Sequence, residues 1–301
     1  MIGRAYVDEV VGDVAAAAEA ARSALRRWDV DGEPALVKVG MNALFGVPGR
    51  AVVIRVGRAT GGAAVAHELA RALAAAGIAT TTPVDGWVAD IDGFAVTGWE
   101  RVRETRQAVS WEAVGETLRR VHDLPRETVP SSYPVADPVR LPWWDFPTML
   151  ADVGGDIDAP ALAAIEATVA RHDGWQSAIA AGAVVCHGDV HPGNVLTAAS
   201  GPLLLDWDLL AWAHPAWDHA ALVMWAERWG GDPGMYPRVA EGYGRSYADD
   251  PLTVALGELR NVAATLMRVR AARRDPAAAD EAERRLRYWR GDPDAPVWRA
   301  W

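Results

Sequence analysis

The run Val184-Val185-Cys186-His187-Gly188-Asp189-Val190-His191-Pro192-Gly193-Asn194-Val195-Leu196 sets the tightest limit on how this chain folds. Apolar residues enter and leave a short polar cluster, and after a turn the pattern repeats as Leu203-Leu204-Leu205-Asp206-Trp207-Asp208. Short apolar runs bounded by Gly, Pro, Asn and Asp read as strands. A strand ending at Asp189 holds its carboxylate at a loop mouth, and Asn194 lies far enough on for that loop to turn back. Asp206, closing the next strand, then converges on the same point.

Those three groups match the needs of phosphoryl transfer. The transition state is loose, so catalysis is mostly neutralised charge and an aligned attacking oxygen. The amide oxygen of Asn194 and the carboxylate of Asp206 are hard ligands of the kind Mg²⁺ takes. Asp189 is then the group that accepts the hydrogen bond of an acceptor hydroxyl and takes its proton late. Two other readings stand beside this one: a polar turn between two strands, and the D-x-D nucleophile strand of a haloacid-dehalogenase-type phosphatase. Against the phosphatase, no lysine follows Asp206, and the D-x-D lies far from the N-terminus.

The rest of the chain divides near Gly98. Val10 to about Trp28 has helical spacing, and then Ala35–Val39, Ala43–Val47 and Ala51–Val56 are short β-rich runs. Val65, Leu69, Leu73 and Ala76 mark a helix closed by Gly77, and strands follow near Thr82–Val88 and Phe94–Thr97. Gly98-Trp99-Glu100-Arg101 breaks the strand pattern, and from Ser110 the spacing of Val114, Leu118 and Val121 is helical. The expected fold is α+β in two lobes, with 1–97 a small antiparallel sheet, 98–104 a hinge, and 105–301 a helical lobe interrupted by the hairpin around Asp189.

HGDVHPGN followed by LLLDWD resembles the catalytic and metal-binding loops of the aminoglycoside phosphotransferase family, a protein-kinase-like fold. In protein kinases the matching segments read H-R-D-x-x-x-x-N and D-F-G. Asp189 and Asn194 keep that gap, while Gly188 stands in place of the arginine that reads a phosphorylated activation loop, which favours a small-molecule acceptor. The resemblance implies an ATP- or GTP-dependent, Mg²⁺-dependent kinase, with antibiotics as the leading acceptors. Metabolic amino sugars or amino alcohols are the alternative, and a nucleotide-binding pseudokinase is the reading from another class.

By the same resemblance, Arg55 in Val52-Val53-Ile54-Arg55-Val56 replaces the phosphate-pairing lysine, and Glu68, thirteen residues on, is its expected helix partner. Asn42, in the turn Gly40–Gly46, is expected to meet the triphosphate, and Gly98, Trp99 and Glu100 to offer backbone hydrogen bonds to the base. His187 braces the loop, and Asp218 either anchors the catalytic loop or satisfies free N–H groups at its own helix start. Asp208 is expected to face the acceptor or a second metal ion.

Composition narrows the setting. A net charge of −10 has the wrong sign for a nucleic-acid binder. One cysteine, Cys186, excludes an internal disulfide framework. Asp8 and Glu9 stand where a signal peptide carries basic residues, and no apolar run is long enough to span a bilayer, so the expectation is a cytoplasmic protein. Oligomeric state is left open. Fifteen tryptophans are many for this length, and Trp143, Trp144, Trp212, Trp225 and Trp229 fall where an acceptor would dock. Trp144 and Trp212 are the named candidates for a substrate wall.

Overall fold

A computed structural model describes residues 4–299. The N-terminal part is a sheet of order β2-β3-β4-β6-β5, with β1 also pairing with β4. The strands are β1 (Val7–Glu9), β2 (Ala35–Val39), β3 (Ala43–Gly46), β4 (Val52–Ala59), β5 (Pro83–Ile91) and β6 (Phe94–Glu100). Helix α1 (Val14–Arg27) precedes β2, and α2 (Ala64–Ala75) joins β4 to β5. Every ladder in this sheet is antiparallel.

Helix α1 starts later than its apolar spacing predicts. Gly12 has a positive φ, and the Asp13 carboxylate caps the helix by accepting the N–H groups of Ala15 and Ala16 at 2.9 and 3.0 Å. The residues before it form β1, too short to leave a period in the sequence. Buried Ala17, Ala20, Ala21 and Ala24 give α1 a flat face that lies close on Phe45, Ile54, Val56 and Val96. Burying a side chain such as Leu25 or Phe45 in that layer contributes about 2 kcal/mol.

Strand β6 runs on through the expected hinge. Gly98 and Trp99 pair in register with Ile54 and Val53, and Glu100 with Val52. The physical reason is a close approach: a Cβ on Gly98 would lie 2.4 Å from the Trp87 ring, which stacks on Trp28 at 5.0 Å. Glycine continues the strand here because only it leaves room for that indole. The linker therefore begins at Arg101.

The remainder is mainly helical: α3 (Trp111–His122), α4 (Phe146–Val153), α5 (Ala159–Arg171), α6 (Trp175–Ala180), then, after two small hairpin-like pairs, α7 (Ala216–Trp229), α8 (Met235–Tyr243), α9 (Pro251–Ala272) and α10 (Pro276–Trp289). Strand β7 (Val184–Cys186) pairs antiparallel with β10 (Ala211–Ala213), and β8 (Val195–Ala198) with β9 (Gly201–Leu204). Trp144, Trp175, Trp217, Leu256, Leu259 and Val262 belong to the core that carries these strands. Each ladder between the named strands is antiparallel among the described residues, unlike the Rossmann-like sheet that a haloacid-dehalogenase-type phosphatase needs.

Candidate active site

The β7–β10 and β8–β9 pairs place the polar clusters as the sequence spacing implies. Asn194 lies directly before β8, its carbonyl accepting the N–H of Leu205 at 2.9 Å, so Asp206 follows directly from a residue tied to Asn194. The Asn194 Nδ2 donates to the Asp189 carbonyl at 2.9 Å and to its carboxylate at 3.2 Å. That fixes the amide and leaves its oxygen for a cation. Asp206 holds a left-handed backbone, φ 61°, unusual for a residue with a side chain, which turns the chain sharply out of β9.

His187 ties the two loops together. Its Nδ1 accepts the N–H of Asp189 at 3.3 Å, so its Nε2 carries the proton and donates to the Leu205 carbonyl at 2.9 Å. Burial lowers the imidazole pKa, which keeps this tautomer neutral. Beneath the loop, fully buried Asp218 accepts the N–H of His187 through one oxygen and of Gly188 through the other, both at 2.8 Å. His122 Nε2, on α3, lies 3.1 Å from the same carboxylate. Burial would raise the Asp218 pKa, but His122, His187 and the Gly188 N–H outweigh it and hold the group below the usual range.

The electrostatics ask for a cation. Desolvation in the cleft and the Asp208 carboxylate beside it push Asp206 above the usual carboxylate range, against the pull of Arg55. Asp189 behaves oppositely: burial raises it, but His191 and Arg260 bring it down to about 2. His191 Nε2 is 3.5 Å and Arg260 Nη1 3.9 Å from its carboxylate. Oxygen donors from Asn194 and Asp206, with excess negative charge around them, fit Mg²⁺, which binds through few carboxylates and keeps water and phosphate oxygens as its other ligands.

Several expected site residues sit elsewhere. Glu68 is exposed on α2, where it accepts the Ser132 hydroxyl at 2.6 Å, and does not pair with Arg55. Arg55 instead bonds Asp208, with Asp206 at 3.8 Å. Asp208 is correspondingly turned toward the N-terminal sheet rather than outward, and Asn42 Nδ2 also donates to it, at 3.0 Å. The N–H groups of Glu100 and Arg101 are bonded to the Thr82 and Ala51 carbonyls, each at 2.9 Å, and so are not free for a purine. Trp99 Nε1 donates to Thr97 Oγ1 at 2.8 Å and its ring meets His67 edge-on.

Trp144 is a core residue, 4% exposed and packed on Phe146, Trp175 and Trp217. Trp212 pairs with Val185 across the β7–β10 ladder and is covered by the Arg126 guanidinium at 5.2 Å. Of the other tryptophans named from the sequence, Trp225 stacks at 5.1 Å on His191, whose Nε2 is 3.5 Å from the Asp189 carboxylate, and Trp229 stacks on Trp225 at 5.4 Å. Arg260, on α9, was not indicated by the sequence; besides facing Asp189 it donates to the Gly188 and Trp217 carbonyls, each at 3.1 Å. A lone arginine in a long helix gives no local signal of such a role.

A small antiparallel sheet joined to a mainly helical part is the arrangement of a kinase-like small-molecule phosphotransferase. The phosphotransferase enzyme family matches residues 22–259, and the chain belongs to that family. Among solved structures, spectinomycin phosphotransferase APH(9)-Ia in complex with ADP and spectinomycin is 16% identical, with 92% of this chain and 94% of that one covered at TM-score 0.65. The GDP complex of aminoglycoside 2'-phosphotransferase-IIIa is 15% identical over 91% and 99%, at TM-score 0.66. Amicoumacin kinase bound to AMP-PNP, Ca²⁺ and its antibiotic is 13% identical over 88% and 90%, at TM-score 0.63. No curated protein sequence matches the chain.

Proposed function

We propose that the protein transfers the γ-phosphoryl group of ATP or GTP to a hydroxyl of an antibiotic, with Mg²⁺ held by Asn194 and Asp206. The observation that carries this is the link from Asp189 through Asn194 and His187 to the strand end before Asp206, one hydrogen-bonded unit joining the group that orients the acceptor to the groups that hold the metal. Mg²⁺ supplies charge neutralisation at the transferring phosphoryl group. Asp189, ionised throughout the working pH range, accepts the acceptor hydroxyl's hydrogen bond and aligns its oxygen; His187 and Asp218 hold the loop backbone that carries it, and Asn194 holds the carboxylate.

The similar solved structures hold ADP with spectinomycin, AMP-PNP with amicoumacin, or GDP, which supports a nucleotide donor and an antibiotic acceptor. Beside Asp189 lie His191 and Arg260, with Trp225 stacked on His191 and Trp229 on Trp225, while the Asp206 carboxylate is near enough to interact with it. Stacked rings leading out from His191 suit the apolar face of a sugar-bearing antibiotic. No described helix is long and apolar enough to cross a membrane, and a cytoplasmic enzyme acting on an internalised drug fits this chemistry. The test is an acceptor panel of aminoglycosides, macrolides, spectinomycin-type and nucleoside antibiotics, and amino alcohols, scored with ATP and with GTP for gain of one phosphoryl group. Phosphorylation confined to amino alcohols would replace the antibiotic assignment with a metabolic one.

A further inference from the structure

In two-lobed kinases a helix carboxylate in the N-terminal lobe holds the phosphate-pairing cation. Here the helix offers none to Arg55, because Glu68 points away to Ser132. The carboxylate that Arg55 finds is Asp208, two residues past Asp206 and largely buried, and the same Asp208 oxygen accepts Asn42 Nδ2 from the β2–β3 turn at 3.0 Å. Asn42 reaches it by folding across β4 at Gly57, where an added Cβ would lie 2.0 Å from the Asn42 amide oxygen.

Asp208 is itself held. Its carbonyl accepts the Tyr6 N–H at 3.1 Å, and the carbonyl of Trp207 accepts the Tyr133 hydroxyl at 2.9 Å. The Tyr6 and Tyr133 rings stack at 5.5 Å, and the Arg55 guanidinium lies 5.6 Å from the centre of the Tyr6 ring. The metal loop thus presents one rigidly placed carboxylate to both the strand cation and the turn above it.

We infer that Asp208 is the positioning residue for the nucleotide's phosphates, doing for Arg55 and Asn42 what a helix carboxylate does elsewhere. The inference rests on the proposed kinase function. The guanidinium has five N–H donors, and Asp208 engages only Nη2, so the rest of the fork remains for phosphate oxygens. Phosphate grip is then set by the loop that also carries Asp206, and α2 has no part in it.

The experiment measures equilibrium binding of a non-hydrolysable ATP analogue with Mg²⁺ by calorimetry, alongside KM and kcat, for wild type, Asp208→Asn, Arg55→Lys, their double variant and Glu68→Gln, with thermal melting as a folding check. Asp208→Asn is expected to weaken nucleotide binding roughly tenfold, raising KM more than it lowers kcat. The double variant is expected to be within about twofold of the weaker single variant, since both changes break one interaction. Glu68→Gln stays within about twofold of wild type, as a solvated surface carboxylate does. Should Asp208→Asn not fold, Gly57→Ala gives the same reading by displacing Asn42 without removing a charge, and is expected to weaken binding several-fold. Wild-type affinity in Asp208→Asn, additive losses in the double variant, or a loss in Glu68→Gln matching that of Asp208→Asn would each overturn the inference alone. Failure of the wild type to bind the nucleotide would overturn it together with the kinase function.

Discussion

The Asn194 side-chain amide nitrogen donates to the main-chain carbonyl of Asp189 and to its carboxylate, at 2.9 and 3.2 Å, so the residue proposed to hold the metal also aims the residue proposed to orient the acceptor. Removing the Asp189 carboxylate therefore takes away acceptor alignment and leaves the nucleotide's contacts in place. Asp189→Ala is expected to lower kcat by about 10²–10⁴-fold with nucleotide affinity within a few-fold of wild type, read by steady-state kinetics and calorimetry.

Asp218 tests the foundation under that loop. Its two oxygens serve two buried backbone N–H groups and His122, so Asp218→Ala leaves three polar groups without a partner. The expected cost is about 3 kcal/mol of unfolding free energy, together with loss of transfer. Denaturant unfolding reads the first and activity the second. A variant as stable as wild type would show that the loop stands without this carboxylate.

Gly188 occupies the position of the protein-kinase arginine, and its geometry shows why no side chain fits. Its φ is +94°, and an added Cβ would lie 1.9 Å from the Leu209 carbonyl oxygen. Gly188→Arg is expected to displace the loop, abolishing transfer and lowering Tm by several degrees for a loss of about 2 kcal/mol or more. An active Gly188→Arg protein would remove the backbone argument for a small-molecule rather than a protein-kinase loop.

Buried histidines make stability depend on pH. His67, packed under Trp99, has its pKa lowered to about 4 by burial, and His219 is lowered to about 3. Below about 6.5 the unfolded chain takes up protons that the folded chain refuses. The stabilisation is complete above that value and is lost as the pH falls toward 4. Unfolding free energy is expected to drop between pH 7 and pH 5, with a shallower drop in His67→Gln; a pH-independent midpoint across that range would contradict the burial argument.

The local parts of this structure were legible in the sequence. An apolar strand ending in a polar cluster needs only its own residues to declare itself, which is why Asp189, Asn194 and Asp206 stand out and why the sheet-then-helix order reads correctly. Contacts between distant segments were not legible. Nothing near Arg55 says that its acid comes from position 208 rather than from the helix thirteen residues on, and nothing in α9 marks Arg260 as the neighbour of Asp189. Gly98 read as a break because glycine weakens strands in general, whereas here it makes room for Trp87. Residue type also does not sort the tryptophans: Trp144 is core, while Trp225, named in the same group, is stacked on His191.

The central claim is that Asp189, Asn194 and Asp206 form one phosphoryl-transfer centre. Its most direct measurement is the mass of a sugar-bearing antibiotic after incubation with the purified protein, Mg²⁺ and ATP or GTP, beside the Asp189→Ala variant. A gain of one phosphoryl group with the wild type, dependent on Mg²⁺ and absent with the variant, is the predicted result. Equal phosphorylation by the two proteins, or transfer undiminished by a chelator, would contradict it.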